Sequence, residues 1–316
     1  TATTAGYYMH YVAAPVANVQ LGDWDMIHGF SYAYEFRTSI QDWWNIHVVT
    51  RPTDPGYGFL LSLFDQPTAT TQDVVFYDNL VLTDNPVSFS PDLTAGQYAL
   101  IGNPYTAPID WDLMNPQANI TNTSWIWNPA SQNYVTYTGG SGGNSSARYI
   151  QPGQSFFIQA SGTVSSFSIQ EADRVQSIQP YLKSGYTNLL RMYTEGGNET
   201  YDETYIRFKE GEVTGAYDLN HDGDDWPSAV GEFATEIYTM STDGYRLAVD
   251  ARPQLTAEQT DVPLYFKPAQ EGEYSLFADA ESMESFAGSI RIYLEDTFIP
   301  GQEWHNLREN NAYTFT

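Results

Sequence analysis

Cysteine is absent from all 316 residues. That excludes disulfides, thiol nucleophiles and zinc–thiolate sites, and it leaves the compartment open, since many exported chains also do without it. Basic residues are scarce: 13 Lys and Arg stand against 39 Asp and Glu, for a net charge of -26. Such a surface repels phosphate backbones and anionic lipid, so nucleic acid is not an expected partner. A run of about eighteen apolar residues, the minimum for a membrane-spanning helix, is also missing. Membrane insertion is therefore not expected. Thr1 is followed by neither a basic n-region nor an apolar h-region, so any signal peptide is read as lying outside this sequence. Long helix-forming runs are absent too.

What the chain has in quantity is aromatic and turn-forming residues. Aromatics make up 15%, with 24 Tyr, beside 24 Gly and 17 Pro. Short alternating segments recur between Gly, Pro, Asn and Asp: Tyr7 to Ala13, His47 to Thr50, Phe59 to Leu63, Val74 to Leu82, Ser155 to Gln159 and Val164 to Ile169. This is the composition and punctuation of an all-β protein.

The first half repeats itself. Pro15, Asp23-Trp24-Asp25, Tyr34 with Phe36, and Pro55-Gly56 ahead of Phe59 recur as Pro104, Asp110-Trp111-Asp112, Trp125 with Trp127, and Pro152-Gly153 ahead of Phe156. The offsets are 89, 87, 91 and 97 residues, a drift that loop insertions explain. The expected organisation is a duplicated aromatic-rich β region over 1–180, with repeats of about 1–90 and 91–180, followed by an acidic β-sandwich of jelly-roll or immunoglobulin-like type over 181–316. The polar stretch near Ala172 to Ser184 marks the boundary, and the acids divide unevenly across it: residues 1–190 carry 14 and residues 191–316 carry 25. Thr138 to Ser146, Thr-Gly-Gly-Ser-Gly-Gly-Asn-Ser-Ser, reads as a flexible solvated loop.

Ala99-Leu-Ile-Gly-Asn-Pro-Tyr-Thr-Ala-Pro-Ile-Asp-Trp-Asp112, Trp125-Ile-Trp127-Asn-Pro and Pro152-Gly-Gln-Ser-Phe-Phe resemble the region that precedes the sorting domain in secreted and surface proteins of Bacteroidetes-type bacteria exported by the type IX secretion route. Thr204-Tyr-Ile-Arg207-Phe, Val262-Pro-Leu-Tyr-Phe-Lys267 and Ile292-Tyr-Leu-Glu-Asp296 continue that resemblance along nearly the whole chain. It implies an extracellular or cell-surface location. It implies no particular activity, because cargo of many functions shares the region. Relatives of that kind run on past the equivalent of Tyr313 to Thr316 into a further strand and the sorting domain, so the sorting signal itself is not read here.

Several motifs offer chemistry. Asp218, Asn220, Asp222, Asp224 and Asp225 place hard oxygens at alternate positions around Gly223, as in the first half of a calcium loop. The second half has no acid before Glu232, so a calcium ion closed by distant Asp202 or Glu203 is set against a solvated acidic turn. Trp43, Trp44, Trp125, Trp127 and Tyr134 offer flat faces for stacking on sugars, or else fill the core as cross-strand pairs. The duplicated Asp-Trp-Asp triplets could act as acid and base, but an active site rarely exists in two copies, so Trp in the core with the acids capping turns is preferred. The five histidines lack metal-ligand spacing, and the sequons at Asn119, Asn122, Asn144 and Asn198 fit exposed loops. No nucleophile elbow, His-Glu-x-x-His or phosphate loop is present.

The reading is thus a non-catalytic structural or adhesive surface protein, with a carbohydrate-binding accessory module of a polysaccharide-degrading system as the alternative. Thr1 to Gly6 is small, uncharged and β-prone, and Tyr313 to Phe315 alternates. Self-association through terminal strands, giving a homopolymeric filament or layer, is the expected form of that role, and surface glycans are the expected partners of the alternative.

Overall fold

The computed structural model describes residues 7–24, 32–64, 81–83, 86–114, 117–129, 131–175, 186–196, 200–211, 213–227, 234–256, 258–299 and 304–316. It is all-β. Its helices among these residues are single turns such as Trp111–Met114, Ser145–Arg148 and Ala280–Met283. The chain forms two compact units, one of residues 1–130 with 144–178, the other of residues 131–143 with 179–316.

In the first unit the duplication is visible as repeated pairing. The strands Tyr7–Val12, Phe59–Phe64, Tyr32–Arg37 and Asp42–Ile46 form an antiparallel sheet in that order. In the second repeat Tyr98–Gly102 pairs with Ser155–Gln159, which pairs with Thr123–Asn128. In both repeats, then, the last strand lies between the first and the second. The strands Tyr98–Gly102, Ser155–Gln159 and Thr123–Asn128 are buried almost throughout, which is why they read as continuous apolar and aromatic runs instead of alternating.

The two repeats also exchange contacts reciprocally. Ala13 N–H donates to Gly153 O at 3.0 Å, and Gly102 N–H, 89 residues on from Ala13, donates to Gly56 O at 2.9 Å. Val12 bridges to Gln154 and Ile101 bridges to Tyr57 in the same crossed manner. The first strand of each repeat therefore ends on the Pro-Gly turn of the other, as a two-fold relation between the copies requires. Trp24 meets Phe59 edge-on at 5.0 Å, and their counterparts Trp111 and Phe156 meet edge-on at 6.0 Å.

In the second unit eight strands share one curled sheet, in the order Leu264–Lys267, Glu236–Met240, Arg246–Pro253, Thr200–Lys209, Leu189–Gly196, Tyr274–Ala278, Ala312–Phe315, with Gly223–Asp224 beside Arg246–Pro253. Thr200–Lys209 and Arg246–Pro253 run parallel. One face carries the large core of Leu190, Met192, Ile206, Ile237 and Leu276. The layer packed on that face is small: Met283 and Phe286 around the turn Ala280–Met283, with Leu294 and Leu307 at the ribbon Tyr293–Leu294/His305–Asn306.

Two local expectations need correction. The strand assigned to His47–Thr50 is instead Asp42–Ile46, because the hairpin from Tyr32–Arg37 turns at Thr38 to Gln41, where Gln41 takes φ 51°. The glycine-rich loop is packed, not solvated. Gly142–Gly143 pairs with Tyr137–Thr138, and Ser141 and Thr138 are fully buried. Without a side chain the backbone approaches so closely that a Cβ on Gly143 would lie 2.4 Å from Thr136 O.

Candidate functional site

Asp218, Asp222 and Asp225 of the loop at 218–225 are positioned by a neighbouring strand or by their own turn. Asp218 closes the turn: its Oδ1 accepts from Asn220 N–H at 2.8 Å and its carbonyl from His221 N–H at 2.9 Å. Asp222 is buried, and its two carboxylate oxygens accept from Ala251 N–H and Asp218 N–H, each at 2.8 Å. Burial pushes its carboxyl up to about 7, against the pull of those two backbone donors. The chain then enters Gly223–Asp224, whose pairing with Arg246–Pro253 carries Asp225 to the Arg246 guanidinium (Nε to Oδ2 2.9 Å).

Arg246 also donates to Glu236 at 3.0 Å, and its guanidinium lies 3.8 Å over the Tyr238 ring. Nearby Asp202 is buried and accepts from Ile237 N–H at 2.8 Å. Burial, reinforced by the Asp225 charge, raises its carboxyl well above the ordinary range. Burial raises Asp225 as well, opposed by Arg246. Glu203, the other residue expected to close a calcium loop, is engaged by Arg191 at 2.7 Å and by the Tyr201 hydroxyl at 2.7 Å. Glu232 lies outside the described residues.

The structure therefore distributes these acids over a turn, a strand partner and an arginine. Among the described residues no group of three acidic or histidine side chains gathers in a metal-holding arrangement. Asp218 and Asp222 already spend carboxylate oxygens on backbone N–H groups. The expected result of melting the protein with calcium against chelator, at matched ionic strength, is an unchanged melting temperature of the second unit; a rise would show that the loop rearranges around the ion.

The aromatic residues divide sharply. Trp125 and Trp127 are buried at 1% and 3% exposure, and Trp127 Nε1 donates to Met9 O at 2.8 Å. Trp43 packs on Tyr11, Phe36 and Phe157. Tyr134 meets Trp226 edge-on at 5.1 Å. These four are core or cluster residues, as alternate aromatic positions on strands tend to be. Trp44 alone is open, at 50% exposure, with the Arg37 guanidinium 4.2 Å over its ring.

The described members of the Asp-Trp-Asp triplets are tied into their surroundings. Both indole N–H groups are used, Trp24 toward Thr53 Oγ1 and Trp111 toward Asn122 O. Asp23 accepts from Gln20 N–H, and Asp110 takes Arg148 through both oxygens at 3.0 Å while accepting from Asp112 N–H. Asp25 and His28 lie outside the described residues. An open groove of about 1050 Å³, lined by Pro86, Pro108, Gln170, Glu171 and Arg174 among others, holds no paired carboxylates and no nucleophile beside a base among the described residues. Asn119 and Asn144 spend their side chains on Thr163 O and on capping Ser145–Arg148, and Asn198 lies outside the described residues.

No protein-family model, curated protein or solved structure matches this chain.

Two features escaped the sequence reading. One is the set of ion pairs in the second unit, including Arg252 on Asp250 with both residues buried. Its signal was present as arginines and acids alternating along strands otherwise rich in apolar residues. The other is the edge at Asp42–Ile46, where Ile40, Trp44, Val48 and Val49 are each at least half exposed.

Proposed function

We propose that the chain is an extracellular, non-catalytic structural or adhesive protein of the cell surface, a subunit that associates through an open sheet edge into a filament or layer. The observation that carries this reading is a difference between the two repeats. Tyr134 stands 91 residues after Trp43, so Asn133–Thr138 is the sequence counterpart of Asp42–Ile46. Asn133–Thr138 has a further strand, Gly142–Gly143, on it, and it is buried at nearly every position. Asp42–Ile46 ends its sheet with no further strand among the described residues, and exposed Ile40, Trp44, Val48 and Val49 adjoin it. Long exposed apolar edges invite another strand, and soluble monomers usually blunt them with charge or proline. The extracellular setting follows from the type IX resemblance of the Ala99 to Asp112 and Trp125 to Pro129 segments.

The Ala312–Phe315 strand is not the donor, because it pairs with Tyr274–Ala278 of its own sheet. The donor assigned is the uncharged segment Thr1 to Gly6, which lies outside the described residues; it would come from a neighbouring subunit. Such a head-to-tail contact does not close on itself. Sedimentation over a concentration series should show growth beyond the monomer. Trp44→Glu and deletion of residues 1–6 should each leave folded monomer. A wild-type chain that stays monomeric at high concentration would remove this reading.

A further inference from the structure

Arg207 is an anomaly in so acidic a chain. The other buried or half-buried arginines of the second unit meet carboxylates: Arg252 on Asp250, Arg246 on Asp225 and Glu236, Arg191 on Glu203. Arg207 meets none among the described residues. Its Nε and Nη1 are closed off from solvent and have no hydrogen-bond acceptor there. An orphaned buried donor on a charged group is costly, about 1–3 kcal/mol or more, so an acceptor beyond the described residues is called for.

The surroundings suit an anion. Arg207 and Lys209 stand two apart on the strand Thr200–Lys209, so both project from one face, opposite the face of Ile206 and Phe208 in the large core. Lys209 Nζ reaches Gly140 O and His221 Nδ1, each at 3.3 Å, and makes no ion pair with a carboxylate among the described residues. Burial and then the Arg207 charge lower its ammonium, while Asp218 and Asp222 oppose this from longer range. The Tyr186 ring lies 4.8 Å from the guanidinium carbon of Arg207, and its hydroxyl is held by Tyr137 at 2.9 Å. A cation–π contact engages the guanidinium without taking up its N–H donors, which remain for an acceptor. Next to Gly140, fully buried Ser141 Oγ also has no partner among the described residues.

We propose that Arg207, with Lys209 and the Ser141 hydroxyl, forms a binding site for an oxyanion: a carboxylate, sulfate or phosphate group. The guanidinium supplies charge and in-plane donors, Lys209 a second positive charge, and Ser141 a neutral donor. Two like charges two residues apart repel each other, and an anion between them relieves both. This assignment is independent of the assembly reading above.

The test is thermal melting and calorimetric titration of the full chain with sodium sulfate, phosphate or acetate replacing chloride at constant ionic strength. A saturable rise in melting temperature is expected for the wild type and none for Arg207→Met, which removes the unpaired charge with little loss of volume. Ser141→Ala and Lys209→Met, which keep Arg207, should weaken binding about tenfold each, the value of one charge-assisted hydrogen bond; they serve as the test should Arg207→Met not fold. A sulfated oligosaccharide that competes with inorganic sulfate would identify the anion as a group on a larger ligand, and failure to compete with retained sulfate binding would identify a free ion. An equal response of wild type and variants, or no saturable response to any of the three anions, would overturn the site.

Discussion

Gly102→Ala is expected to destabilise the first unit by about 1–3 kcal/mol, and adding Ala13→Gly is expected to restore most of that loss. A Cβ on Gly102 would lie 2.1 Å from the Ala13 Cβ and 3.3 Å from the Gly56 backbone. Neither backbone can yield easily. Gly102 is held by its bond to Gly56 O, and Ala13, fully buried, by its bond to Gly153 O. Residues 13 and 102 are the same position in the two repeats, so the contact has room for one methyl and the chain puts it on the first copy. Moving the methyl to the other copy should be tolerated where adding a second is not. Urea denaturation of the two single variants and the double variant gives the coupling energy directly. Additive effects of the two changes would mean that the repeats do not meet as the crossed hydrogen bonds indicate.

Much of this arrangement was legible because duplication was written in residues that cannot be exchanged cheaply. The prolines, the Pro-Gly turns and the buried Trp24 and Trp111 mark the same backbone events twice, and the offsets that align them also align the crossed hydrogen bonds. Pairing order was not legible, because alternation gives the faces of a strand and not its neighbours. The glycine-rich segment misled for a related reason. Glycine marks both solvated linkers and close backbone approach, and only the position of Thr136 and Tyr137 distinguishes them.

The candidate sites were less legible. The oxygen-rich spacing of Asp218 to Asp225 says that hard ligands are near one another in sequence, but where they turn depends on Ala251 and Arg246, which come from a strand far along the chain. Trp125 and Trp127 looked the same in sequence as Trp44. Burial separates them, and burial is set by sheet order. Arg207 could not have been singled out, since its distinction is the missing partner.

The second unit should lose stability as pH rises from about 5 to 8, while the first unit should gain on leaving acid. In the second unit, burial raises the Asp222 carboxyl to about 7 and raises Asp202 and Asp225 as well. A carboxyl that is harder to ionise folded than unfolded contributes stability that is full below the ordinary carboxylate range, near pH 4, and disappears as pH climbs through its folded value. For Asp222 alone the effect is on the order of a few kcal/mol. In the first unit Glu35 behaves oppositely. Burial raises it, but hydrogen bonds from Tyr57 and Arg37 and the Arg51 charge outweigh that and hold it below the usual range. Its contribution is present above its unfolded value and is lost as pH falls through its folded value. Hydrogen exchange, corrected for intrinsic rates, reads the units separately: protection of Thr200–Lys209 and Arg246–Pro253 should fall toward pH 8, and that of Tyr32–Arg37 and its neighbour Phe59–Phe64 should fall toward acid. Asp222→Asn separates this titration from general repulsion in a chain of net charge -26. Asparagine offers one acceptor to the two N–H groups of Ala251 and Asp218, so the variant should be weaker at pH 5 by about 1–3 kcal/mol. It should also lose much less stability than wild type between pH 5 and 8. An equally steep decline in the variant would place the titration elsewhere.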